Sequence, residues 1–334
     1  MSGIWVEVWR GSLVESRHRV SVAVVDAGGR CRAGAGDRDL VTFARSAAKP
    51  LQALPLVEDG VVARFDLTLA ELALCCGSHS GEAQHVEGVR SILRKIGADE
   101  EALACGATPP ISELAARLLQ EVGASPGRIH NNCSGKHAGM LALARAHGWP
   151  LAGYYRAGHP VQERMLEEVA RWTGVPADDI VTAVDGCGVV TFGVPLSALA
   201  GAFARLAAAA RRGEDPAATV VQAMVRHPAC VAGPGRLCTE LMRVADGRIF
   251  AKVGAEGVYA AGIPGAELGI ALKVEDGGKR AAEPALLAVL RGLGLLSPEE
   301  LAELEEFTHP EVRNTRGERV GVIRVTGLLE PARG

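Results

Sequence analysis

The spacing of apolar residues changes twice along this chain, and that change restricts the fold more than any other feature. Residues 4–10 and 19–26 read as strands, the second closing on the turn Asp26-Ala27-Gly28-Gly29. From 68 to 215 the apolar residues recur every three or four positions. This spacing predicts helices over Leu69–Cys75, Glu82–Ile96, Ile111–Val122, His137–Ala146, Pro160–Trp172 and Leu196–Arg212. Strand signals then return. Leu241–Ala245 and Arg248–Val253 flank Asp246-Gly247, a dipeptide that predicts a hairpin. Leu268–Val274 and Val320–Val325 read as strands, with helices over Glu283–Leu293 and Pro298–Glu306 between them. Strands from both chain ends must share one sheet. The expectation is therefore an α+β fold in one domain: a mainly antiparallel sheet from about 1–45 and 241–330, plus a helical lobe over about 68–215. Strands and helices do not alternate as a parallel doubly wound sheet requires, and no G-x-G-x-x-G follows the first strand.

Charge narrows the function classes. Against 36 Lys+Arg stand 39 Asp+Glu, a net charge of −3, with no basic block to hold nucleic acid or an anionic membrane. The first ten residues lack a basic segment followed by an apolar core. The longest uncharged stretch, Gly186 to Ala204, is broken by Gly188, Gly193, Pro195 and Gly201, so no spanning helix is expected. The expected location is cytoplasmic, where the 8 cysteines serve as thiols or metal ligands. Only six of the basic residues are lysines (49, 95, 136, 252, 273 and 279). In a chain that uses Arg for general cationic duty, a lysine draws attention as an amine that can lose its proton.

Two groups of residues can carry chemistry. The first begins with Ser46-Ala47-Ala48-Lys49-Pro50. Pro50 is tolerated only in the first turn of a helix, which sets a helix start within a few residues of Ser46. Positions i and i+3 share a helix face, so a desolvated Lys49 can take the Ser46 proton, while free amides at the helix start can hold an oxyanion. Alternatively, Ser46 is only an N-cap. Ser78-His79-Ser80 then follows in a Gly-bounded loop, and Lys252-Val253-Gly254 ends a strand. This order, S-x-x-K, S-x-S and K-x-G, parallels the motif set of serine β-lactamases and penicillin-binding proteins. His79 and Ser80 depart from S-D-N, which argues against a β-lactam substrate.

The second group is Asn131-Asn132-Cys133-Ser134-Gly135-Lys136-His137 with Asp185-Gly186-Cys187-Gly188. Two thiols with His137 and Asp185 beside them can bind one soft or borderline metal such as zinc, although no C-x-x-C is present. They can equally be buried free cysteines, or Cys133 can be a nucleophile with His137 as base.

The chain resembles the L-asparaginase II family, the thermolabile rhizobial-type asparaginases. The blocks that carry the resemblance are 44–50, 76–82, 131–140, 185–188, Arg226-His227-Pro228 and 252–257. The resemblance implies a β-lactamase/glutaminase-like fold and a homodimer. It implies two Ser–Lys pairs, Ser46 with Lys49 and Ser78 with Lys252, and substrate contacts from Arg45, His137 and Asp185. It also implies a zinc site at Cys133, Lys136 and Cys187, more for placing substrate than for making a nucleophile. The activity implied is hydrolysis of L-asparagine to L-aspartate and ammonia through an acyl-enzyme. The alternatives are another serine amidase, glutaminase or esterase of the same fold, or a non-catalytic zinc-stabilised amino-acid-binding protein.

Overall fold

The structure, a computed structural model, describes residues 3–327 and 329–331. The architecture is α+β, and the chain divides into two compact units.

The first unit comprises residues 3–47, 194–208 and 240–331. Its sheet runs in the order Glu311–Arg313, Arg319–Thr326, Ile4–Arg10, Leu13–Asp26, Leu268–Val274, Val258–Ile263, Phe250–Val253, every neighbour antiparallel. Strand Cys31–Ala35 folds back on the long Leu13–Asp26 strand. Both chain ends therefore build the sheet, as the sequence predicts. Residues Val20–Val25 are buried one after another, so both faces of the sheet are covered there. Helix Lys279–Gly292 packs along the strands with Leu286, Leu287 and Leu290 inward. Phe203 stacks on Phe250 with ring centroids 5.5 Å apart.

The second unit comprises residues 48–193 and 209–239 and is mainly helical. Its helices include Lys49–Glu58, Leu69–Cys75, Ala83–Lys95, Glu113–Glu121, Ser134–His147 and Pro160–Thr173. Thr68 and Glu71 form a capping box in which Glu71 N–H donates to Thr68 Oγ1 at 3.2 Å and Thr68 N–H to Glu71 Oε2 at 2.7 Å. This fixes the start of the helix whose far end leads into the Ser78 loop. Strands Val181–Val184 and Val190–Pro195 pair as a hairpin, which the sequence pattern misses because glycines interrupt it.

One expected element is different. Leu241–Ala245 is not a hairpin strand; Leu237–Val244 is a helix, and strand structure begins only at Phe250. The buried set Leu237, Cys238, Leu241, Met242 and Ala245 has helical spacing. A five-residue window starting at Leu241 hides that period. Asp246 and Gly247 both have positive φ and turn the chain from helix to strand.

Candidate active site

Lys49, Ser78, Cys133, Lys136 and Cys187 come together in the second unit around one buried amine, whereas Arg45, Ser46 and Lys252 belong to the first. Lys49 opens helix Lys49–Glu58, with Pro50 in the first turn as predicted. Ser46 lies in the 3-10 turn Arg45–Ala48 that runs straight into that helix, and Arg45 takes a positive φ of 49°. The Lys49 side chain is fully buried. Its Nζ donates to the Gly77 carbonyl at 2.5 Å, to Ser78 Oγ at 2.9 Å and to Cys133 Sγ at 3.2 Å. Burial pushes the Lys49 amine below its ordinary value, and the Lys136 charge adds to that, against the opposing pull of Cys133 and Cys187. A lysine poised to lose its proton thus touches a serine hydroxyl.

The Ser78 loop is held from several sides. Ser78 N–H donates to the Val231 carbonyl at 2.8 Å, and His79 N–H to the Asn132 carbonyl at 3.1 Å. The buried His79 ring accepts from Gly81 N–H at Nδ1, so its Nε2–H donates to Ser134 Oγ at 2.9 Å. Arg236 Nη1 donates to the Ser78 carbonyl and, at 3.2 Å, to the Ala232 carbonyl.

Cys133 precedes helix Ser134–His147, its N–H donating to Asn131 Oδ1 at 2.9 Å. A Cβ on Gly135 would collide with the Leu74 carbonyl, so glycine allows this helix to seat directly against the end of Leu69–Cys75. Lys136 and His137 follow in the first turn. Cys187 arrives from the hairpin turn, where Asp185 N–H donates to the Val189 carbonyl at 2.8 Å and Gly186 N–H to Asp185 Oδ1 at 2.7 Å.

Cys133 and Cys187 are hydrogen-bonded to each other, and Lys136 Nζ donates to Cys187 Sγ at 3.1 Å. The bond to Cys187, then burial, pushes the Cys133 thiol up to about 12. The same bond, with the Lys136 charge, outweighs burial at Cys187 and brings it down to about 5. The bond between the two sulfurs and the Lys136 charge thus push the thiols in opposite directions, Cys133 up and Cys187 down. Burial alone would lower Lys136, but Cys187, Cys133 and Asp185 raise it above its ordinary value.

Two thiols and an amine thus meet at one place, one sulfur already in the thiolate range. That donor chemistry fits a zinc ion, provided the amine gives up its proton. Among the described residues no three His, Cys, Asp or Glu side chains form a metal cluster, so such a site depends on Lys136.

His137 is fully buried. Burial, reinforced by Lys136, brings its imidazole down to about 3, so the ring is neutral. Ala104 N–H donates to Tyr154 Oη at 2.9 Å, and Tyr154 Oη lies 2.6 Å from His137 Nδ1. Tyr154 Oη, with two lone pairs and one proton, bonds both the Ala104 N–H and His137 Nδ1, which leaves the other ring nitrogen, Nε2, for a further partner. That Nε2 makes no hydrogen bond to any described residue.

Lys252 stands on strand Phe250–Val253 in the first unit, fully buried, its Nζ donating to the Val253 carbonyl at 2.8 Å. The structure thus joins Lys49, Ser78, Cys133, Lys136 and Cys187 through direct contacts, with His137 and Asp185 on the same short segments. Sequence reasoning overlooks Tyr154 and Arg236. Only the turn Gly233-Pro234-Gly235 before Arg236, which frees the chain to approach another loop, points to the latter.

Comparison with family models places the chain in an amidohydrolase family. It belongs to the L-asparaginase II family, whose model matches residues 6–325. Comparison with curated proteins found no match. Among solved structures, the native form of a protein named Mglu aligns at 18% identity and a TM-score of 0.45, covering 84% of this chain and 66% of that one. The L-glutamate binding form of Mglu aligns at 17% identity and a TM-score of 0.38, covering 87% and 63%. A β-lactamase from Mycobacterium bovis aligns at 18% identity and a TM-score of 0.44, covering 83% and 95%. The chain therefore spans just under two thirds of the Mglu chains. Among the described residues no helix is long and apolar enough to cross a membrane.

Proposed function

We propose that this protein hydrolyses the side-chain amide of L-asparagine, giving L-aspartate and ammonia through a serine ester. The observation that carries this reading is the desolvated Lys49 amine, 2.9 Å from Ser78 Oγ and three residues from Ser46, in a member of the L-asparaginase II family.

In the proposed reaction Ser46 Oγ attacks the amide carbon and Lys49 takes its proton. Backbone amides near Ser46 hold the oxyanion. As the C–N bond breaks, the proton passes along the Lys49–Ser78 contact to the leaving ammonia; the family resemblance assigns Lys252 to the same relay. Water then attacks the β-aspartyl ester, gives its proton back by the same route, and Ser46 is restored. His137 Nε2, a buried polar atom with no hydrogen-bond partner among the described residues, suits a polar substrate group. Cys133, Lys136 and Cys187 would hold zinc, which when bound supplies a positive charge that orients polar substrate groups.

The Lys49–Ser78 bond favours a second reading in which Ser78 is the nucleophile. Peptide mapping of the acid-quenched enzyme distinguishes the two: an aspartyl ester on Ser46 supports the first assignment and one on Ser78 the second. Absence of ammonia release from L-asparagine by folded protein contradicts both.

A further inference from the structure

We infer that Arg236 recognises the α-carboxylate of the substrate while holding Ser78 in place. The inference rests on the proposed amidase reading and adds a residue and a substrate feature to it.

Segment 231–236 lies against the Ser78 loop. Ser78 N–H donates to Val231, Ser80 Oγ to the Ala232 carbonyl at 2.9 Å, and Gly233 N–H to Thr239 Oγ1 at 3.1 Å. Gly233 has φ of 126°, and a Cβ there would sit 2.7 Å from Ser80 Oγ, so both the turn and the approach need glycine. The segment is therefore tied down before Arg236 leaves it. Both hydrogen bonds of the half-buried Arg236 guanidinium come from Nη1. Its Nε and Nη2 donate to no described residue, and no described carboxylate pairs with it.

The hydrogen-bond partners single this group out. Lys49 directs its amine to Gly77, Ser78 and Cys133, and Lys136 donates to Cys187 Sγ. Arg236 is also bonded to this loop, and among the described residues it has no anionic partner. A guanidinium keeps its charge at all working pH values, and its free edge matches a carboxylate in two-point geometry. The ligand class is thus an α-amino acid with a free carboxylate, and an amide lacking that carboxylate is a poor substrate.

The test compares L-asparagine with L-asparaginamide, in which the α-carboxylate is an amide, in wild type, Arg236→Gln and Arg236→Lys. Losing charge-assisted hydrogen bonds predicts a fall in kcat/KM for L-asparagine of about 100-fold in Arg236→Gln, mostly through KM. Asparaginamide turnover should fall by a clearly smaller factor, the part that reflects Ser78 placement alone. Arg236→Lys, which retains the charge and a donor, should fall between. An equal fall for both substrates assigns Arg236 to Ser78 positioning alone and overturns the inference, as does an unchanged KM for L-asparagine. Calorimetric binding of L-aspartate separates this inference from the activity. Binding that wild type shows and Arg236→Gln loses upholds recognition even if no ammonia is released. Absence of both binding and turnover in folded wild type overturns the reading and the inference together.

Discussion

Replacing Lys49 with Met separates catalysis from folding. Removing the amine removes the proposed base, and positioned acid–base groups contribute about 10²–10⁴-fold to rate. The folding consequence is small because two effects oppose. The Gly77 carbonyl and Ser78 hydroxyl lose their Nζ donor, and an orphaned buried acceptor costs about 1–3 kcal/mol. Against this, a fully buried cation disappears, and exchanging buried charge for an apolar side chain of similar volume ranges from neutral to about 4 kcal/mol stabilising. Mid-range values, about 4 kcal/mol for the two acceptors against about 2 for the lost charge, leave a net destabilisation of about 2 kcal/mol, a fall in Tm of about 4–8 °C at roughly 2–4 °C per kcal/mol. The assay pairs ammonia release from L-asparagine with thermal unfolding. Loss of about 10²-fold or more in activity with a fall in Tm of only about 4–8 °C is expected. Activity within a few-fold of wild type refutes Lys49 as base. A fall in Tm beyond about 15 °C makes Lys49 a structural residue instead.

Three further outcomes follow from the helical unit. Gly135→Val should destabilise by about 1–3 kcal/mol and reduce activity, because the new side chain drives the Cys133–Lys136 segment away from Leu74; an unchanged urea midpoint contradicts this contact. Burial alone would raise the carboxyls of Glu58 and Asp59, but Arg171 and Arg164, with His147 at Asp59, hold them below the usual range. Folded values below unfolded ones give stability that is present above about pH 4 and lost as pH falls further, so the urea midpoint should drop between about pH 5 and 3, less so in Arg164→Met. Purified protein dialysed against zinc should retain one ion per chain by elemental analysis, and Lys136→Met and Cys187→Ser should each lose it; equal zinc in all three removes the metal from the account.

Local chemistry was legible in the sequence where short-range rules decide the outcome. Leu69–Cys75 is a helix as its spacing predicts, since Thr68 and Glu71 cap it within four residues. Pro50 marks a helix start because the ring excludes other positions. The antiparallel sheet followed from strand patterns at both chain ends. Leu237–Val244 escaped because a short apolar run carries no period of its own when read from Leu241. The contacts of the candidate site are set at long range. Ser46 and Lys49 suggest a pair by spacing alone, yet the recorded contact of Lys49 is to Ser78, 29 positions away. Its loss of water, the bond between Cys133 and Cys187, and the Tyr154 hydroxyl against His137 all depend on packing between distant segments. No periodicity encodes these.

The proposed activity is tested most directly by which amide the protein hydrolyses. Ammonia release by the purified wild-type protein should be measured with L-asparagine, L-glutamine and D-asparagine in parallel. Release from L-asparagine well above the other two is expected. Preference for L-glutamine, or no release from any of the three by folded protein, would contradict it.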